Sequence, residues 1–190
     1  MAKRGQTRRQ LVETTAQLLQ RQGLNGTGLL QVLEESGAPR GSLYFHFPGG
    51  KEHLTVEAIE YSRTVISGWL RKSLDAHADP GAALADIAER YARRVERSEF
   101  TLGCPVAAVA LEGTPVSERL RQASEAALGE WEELLAGHLQ AAGTEPARAH
   151  AVATAFLSGL EGALMLSRAR RSAGPLRAVG ILIRELLPAS

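Results

Sequence analysis

Apolar positions recur every three to four residues along almost the whole chain, and no stretch alternates with the period of two that a strand requires. The pattern predicts an all-α protein. Thr7 to Gln22 reads as the first helix, with Leu11, Thr15, Leu18 and Leu19 on its inner stripe and Gly23 at the C′ position. A polar arm precedes it. Leu29, Val32 and Leu33 give a short second helix one apolar face, with Thr27 as its N-cap. Ser36-Gly37-Ala38 stops that helix, because Gly37 accepts the left-handed C′ conformation. Pro39 fits the first position of a third helix, where its missing N–H costs nothing. Leu43 and Phe47 turn inward from that helix, while Arg40, Ser42 and Tyr44 occupy its other turns.

Residues 51–76 form one long helical pattern through Leu54, Ala58, Tyr61, Val65, Trp69 and Leu74. Asp79-Pro80-Gly81 breaks it. Ala82 to Ser98 carries the stripe Leu84, Ile87, Ala88 and Tyr91. Cys104 to Leu111 is apolar nearly all round, which predicts a buried helix. Ser117 to Ala142 presents Leu120, Ala127, Leu128, Trp131, Leu134, Leu135 and Leu139. A long helix rich in small residues runs from Glu145 to about Ala173. Gly174-Pro175 breaks that helix, and Leu176 to Leu187 closes the chain.

Two helices joined by a short turn containing glycine are the helix-turn-helix arrangement, whose second helix enters the DNA major groove. Charge agrees locally. The chain is near neutral, with 22 Lys+Arg against 21 Asp+Glu. Before residue 50, however, Lys3, Arg4, Arg8, Arg9, Arg21 and Arg40 face only Glu13, Glu34 and Glu35. A basic end of this kind is either a nucleic-acid footprint or a solubilising terminus. Arg40 is either a guanine reader, since its guanidinium matches O6 and N7 together, or a phosphate contact. Tyr44, His46 and Lys51 each have a structural alternative; at this spacing after Gly37 they form an arc of donors beside one groove wall. Lys51 also stands at a helix N-terminus, where free amides attract phosphate.

The same residues carry a resemblance. Gly23, Thr27, Gly37, Gly41-Ser42-Leu43-Tyr44, His46-Phe47-Pro48 and Lys51-Glu52 resemble the DNA-binding region of the TetR (tetracycline repressor) family. The Ala38-Pro39-Arg40-Gly41-Ser42-Leu43-Tyr44 run and the extra glycine in Pro48-Gly49-Gly50-Lys51 are similar to the branch with lincomycin- and flavonoid-responsive repressors. Most members have a hydroxyl residue where Pro39 stands and a polar or charged one where Leu30 stands. The resemblance implies phosphate contacts at Thr27, Tyr44, His46 and Lys51, within a DNA-binding set of Thr27, Pro39, Arg40, Gly41, Ser42, Tyr44, His46 and Lys51. It implies residues 1–50 as the DNA-binding domain and 51–190 as a ligand-binding and dimerisation domain entered through a connector helix, 51–76.

For the C-terminal part the expected ligand is small and apolar, against Cys104, Ala108, Trp131, Leu135 and Phe156. Glu112, His138 and His150 are either polar members of that cavity or surface residues. Cys104, the single cysteine, is either a reactive thiol at a helix start or a small hydrophobe. Ser158, Gly159, Gly162 and Ala163 sit mid-helix, where each glycine costs about 1 kcal/mol against alanine. Close helix approach offsets that cost, within one subunit or across a two-fold. The resemblance favours a homodimer, with Ala155, Ser158, Gly159, Gly162, Ala163 and Leu166 at its interface.

Enzyme chemistry is not expected. There is no phosphate-binding loop, no HExxH, no Glu-x-x-His pair and no triad, and neither cofactor nor metal is expected. With no membrane span of about 18 uncharged apolar residues and no secretory leader, the expectation is a cytoplasmic protein. The integrated expectation is a homodimeric repressor on a palindromic operator of double-stranded DNA. The alternative is a helical ligand- or protein-binding module without a regulatory DNA target.

Overall fold

The computed structural model describes residues 2–113 and 117–187. Among them are nine α-helices and no strand. The chain divides into two compact units, Met1–Thr64 with Cys104–Leu128, and Val65–Gly103 with Gly129–Ser190.

The first unit is built on α1 (Ala2–Gly26), α2 (Leu29–Ser36), α3 (Ser42–His46), the first half of α4 (Gly50–Asp75), α6 (Pro105–Glu112) and the start of α7 (Glu118–Ala141). Helix α1 begins at Ala2, so the stretch expected as a polar arm is already helical; the Lys3 and Arg4 side chains lie outside the described residues. Its regular part ends where the sequence places the stop: Gly23 has φ 74° and ψ −178°. Leu11, Val12 and Leu18 of α1 pack with Val32, Leu43, Phe47 and Leu54 into one core, and Leu29, Leu33, Ala38 and Tyr61 flank it. The apolar spacing of α1, α2 and α3 is thus spent on a single shared centre.

Three local expectations are corrected. Thr27 is not the N-cap of α2; Gly28 is, and no side chain caps that end. The Thr27 hydroxyl instead donates to the Gly23 carbonyl at 2.6 Å. Pro39 does not open α3. Its carbonyl accepts from the Ser42 N–H at 2.9 Å and the Ser42 hydroxyl at 2.6 Å, closing a turn before the helix, whose N-cap is Gly41. Helix α6 is not buried all round: Pro105, Val106 and Val109 are buried, but Leu111 is 80% exposed.

The second unit holds the rest of α4 and of α7, with α5 (Pro80–Arg97), α8 (Pro146–Arg170) and α9 (Gly174–Leu186). Gly174-Pro175 opens α9 rather than ending α8, which stops at Arg171 in left-handed backbone. Pro80 is an N1 proline behind the Asp79 cap, whose carboxylate accepts from the Ala82 N–H at 2.8 Å. Along α4 the inner stripe is Ile66, Leu70 and Leu74; Val65, expected on it, is exposed, and Trp69 is half-buried and stacks edge-on against Tyr91. Helices α5, α8 and α9 pack on one another. Arg177 of α9 reaches Glu89 at 3.0 Å and Glu96 at 2.8 Å on α5. Helix α8 is the most apolar long helix among the described residues, though Glu161 and His150 keep it from being an uncharged apolar run. An 18-residue window has mean hydropathy 1.3, and only 33% of it is buried. One side of α8 packs within the unit; the rest is apolar because alanine, glycine, methionine and leucine populate its outer side.

Candidate DNA interface

Helices α2 and α3 are hinged at Gly37, which sits in left-handed backbone (φ 65°, ψ 15°) with its N–H on the Glu34 carbonyl. Leu43 and Phe47 anchor α3 in the core. With those two anchored, Tyr44 is 66% exposed and Phe45 64%, while His46 is half-buried. Phe45, absent from the sequence-derived set, meets the His46 ring edge-on at 5.0 Å. Pro39, Arg40 and Gly41 are exposed and Ser42 is half-buried. Arg40 makes no ion pair among the described residues, whereas Arg8, Arg9 and Arg21 are engaged with Glu57, Glu13 and Glu35 at 2.6, 2.7 and 2.5 Å. Much of the local positive charge seen in the sequence is therefore internally paired, while Arg40 faces outward. Together with the uncapped start of α2, the exposed set offers N–H and O–H donors and one cation to an anionic surface.

Thr27 and Lys51 stand apart from this set. Thr27 is buried, and the Lys51 ammonium donates to the Leu24 carbonyl at 2.7 Å. Burial holds Lys51 below its ordinary pKa, with the Glu112 carboxylate pulling the other way. Both side chains brace the α1–α2 turn. Glu112, weighed in the sequence as a cavity residue, belongs to the same brace. Its carboxylate accepts from the Asn25 N–H at 2.7 Å, and a Cβ at Gly23 would run into it. The Ser117 hydroxyl donates to Glu52 at 2.6 Å. The Glu112 contact joins residues 87 positions apart, and no local spacing signals it.

Of the residues expected around a ligand, Cys104 and Ala108 lie in the first unit, where the Cys104 sulfur caps α6 by accepting from the Ala107 N–H at 3.4 Å. Trp131, Leu135 and Phe156 lie in the second unit, each buried. The Trp131 indole N–H and His138 Nε2 are buried without a hydrogen-bond partner among the described residues. Residues 131, 135 and 138 fall on one face of α7 by helical spacing. Burial lowers the His138 pKa, with Asp75 opposing and His77 adding to the shift. His150 is near the surface, 3.8 Å from Glu133.

Of the residues expected at a dimer interface, Ala155, Ser158 and Leu166 are exposed, and nothing lies within 4 Å of a Cβ built on Gly162. Gly159 faces Val179 of α9 at ordinary contact distance, and Ala163 is buried inside the unit, contrary to expectation. Met165 on α8 and Ile181, Leu182 and Leu186 on α9, which sequence reasoning passed over, are also exposed.

Two short helices at a glycine turn, braced by α1 and presenting an aromatic and cationic edge, define a helix-turn-helix module. Residues 11–58 match the family model for bacterial regulatory proteins of the tetR family, and residues 80–181 match the LmrA/YxaF-like transcriptional regulator C-terminal domain. The chain belongs to the TetR family of DNA-binding transcriptional regulators, and is a regulator rather than an enzyme. It is 35% identical over 188 residues to the uncharacterized HTH-type transcriptional regulator YxaF of Bacillus subtilis (strain 168), covering 99% of this chain and 96% of that protein. It is 34% identical over 183 residues to the HTH-type transcriptional regulator LmrA of the same organism, covering 96% and 97%. Among solved structures, the reduced form of Escherichia coli NemR shares the fold with TM-score 0.84 at 21% identity, over 97% of this chain and 99% of that one. A cysteine mutant of the TetR family regulator CifR, complexed with 26 bp double-strand operator DNA, superposes with TM-score 0.80 at 25% identity over 95% and 96%.

Proposed function

We propose that this regulator is a cytoplasmic homodimeric repressor that binds a palindromic operator through α3 and is released by a small, largely apolar ligand. In this reading residues 1–50 read DNA, 51–190 bind ligand and dimerise, and the connector 51–76 links the two tasks. Arg40, Tyr44, Ser42 and His46 meet the duplex, and Thr27 and Lys51 contribute by holding the turn from which α2 presents its amides. The stripe of exposed Ala155, Ser158, Leu166, Ile181 and Leu182 with half-buried Gly162 is covered by a second copy.

The observation that supports the ligand reading is the buried Trp131 N–H with no acceptor among the described residues. An unpaired buried donor costs about 1–3 kcal/mol, and a ligand oxygen that accepts from it removes that cost. Leu135 and Phe156 supply apolar wall, and His138 a second polar point. The ligand class is thus flat and apolar with a hydrogen-bond acceptor at one end. To drive release it must favour the non-binding state; a 100-fold preference is worth about 2.7 kcal/mol. The test is a panel of planar aromatic ketones and phenols read by Trp131 fluorescence and by release of operator DNA. Compounds that shift Trp131 emission should lower operator affinity, and Trp131→Phe should abolish the response to them. Emission changes without any change in DNA binding would refute the regulatory role.

A further inference from the structure

We propose that Leu30 is a specificity-determining residue that reads the 5-methyl group of a thymine in each operator half-site. The inference rests on the reading in which α2 and α3 face the duplex together. Leu30 lies in the first turn of α2 and is 67% exposed. A single exposed leucine is ordinary, but this one has a context. Leu30, Leu33, Glu34, Gly37, Ala38 and Arg40 line one concavity. Leu33 and Ala38 continue from it into the core of the first unit, so the apolar surface runs unbroken from core to rim. Arg40, on the same concavity, is the exposed cation of the interface, so whatever Arg40 approaches also approaches Leu30.

The chemistry of the rim is divided. Arg40 offers only donors, and the Glu34 carboxylate offers only acceptors when ionised. Leu30 offers neither. Against phosphate or sugar a leucine gains little, because both stay hydrated. In the major groove the apolar group that a base edge presents is the thymine C5-methyl. Covering that methyl with Leu30 removes two exposed apolar surfaces from water at once. No side chain caps the start of α2, so its first amides can meet the phosphate of the same strand and hold the helix at that depth. Leu30 therefore selects thymine over cytosine at one step, next to the base that Arg40 approaches.

Removing one methyl is the direct test. Each thymine of a selected operator is replaced singly by deoxyuridine, which keeps base pairing and hydrogen-bonding groups and deletes only the methyl. The native protein should bind about fourfold more weakly when the contacted thymine in one half-site is replaced. Leu30→Ala should bind the thymine and uracil duplexes alike, because the surface that distinguishes them is gone. Leu30→Val, with a shorter apolar side chain, should show a reduced preference, and it carries the comparison if Leu30→Ala binds too weakly to titrate. A thymine preference that survives intact in these variants overturns the assignment, as does a native protein indifferent to uracil at every position. Failure to bind any duplex would overturn the reading beneath it, and is distinct because thymine-containing DNA would then also be ignored.

Discussion

Raising salt from 50 to 200 mM should weaken operator binding by about tenfold, the loss that accompanies about two phosphates neutralised by arginine. In the proposed dimer one set of contacts is repeated. In that proposal each protomer would bring one guanidinium without an ion pair among the described residues, Arg40, while the Tyr44 hydroxyl and the uncapped amides at the start of α2 add hydrogen bonds that release no counterion. Arg8, Arg9 and Arg21 do not raise the loss, because each already pairs with a glutamate of the same chain. The slope is measured by fluorescence anisotropy titrations at several salt concentrations. A slope near zero would show that these groups do not face the duplex.

Gly162→Leu should convert the proposed dimer to monomer and lower operator affinity by about 10²–10⁴-fold, the advantage lost when two linked half-sites are no longer bound together. The substitution is clean within one chain. A Cβ at Gly162 meets nothing within 4 Å, and replacing a mid-helix glycine favours the helix by about 1 kcal/mol. Any loss of assembly then belongs to the surface that a partner covers. Leu182→Glu is a second probe, placing a charge on a side chain that is 56% exposed in the single chain. Buried against a partner, that charge would lose its hydration without gaining a partner ion. Sedimentation velocity should show both variants as folded monomers. An intact dimer in both would remove α8 and α9 from the interface.

Much of this was legible in the chain because it is local. Gly37 ends α2 in left-handed backbone as its neighbours dictate, and Leu11, Leu18, Val32, Leu43 and Phe47 meet in one core as their spacing requires. Errors fell where a local rule had a competitor. Pro39 suits a first helical position, yet its carbonyl is taken by the turn to Ser42, and α3 waits for Gly41. Thr27 is a good capping residue, but its hydroxyl turns back to Gly23. Composition alone made α6 look buried on all sides; the packing leaves Leu111 outside. Of the expected site, Arg40 and Tyr44 lie on the exposed edge, whereas Lys51 is drawn to Leu24 and Ala163 into the unit. The Glu112 contact with Asn25 was illegible because it depends on how helices far apart in sequence are stacked.

The central claim is that α3, twice over, reads two related half-sites. It is tested most directly by selecting duplexes from a random pool with the native protein, Arg40→Ala and Tyr44→Phe. The selected duplexes should carry an inverted repeat whose half-sites lie about 10–10.5 bp apart, or a multiple of that. Arg40→Ala should recover the same repeat with preference relaxed at one base pair in each half, at a cost of about 1–3 kcal/mol. Tyr44→Phe should recover it unchanged and bind every sequence more weakly. A pool that never converges, or a site without two-fold symmetry, would contradict the account.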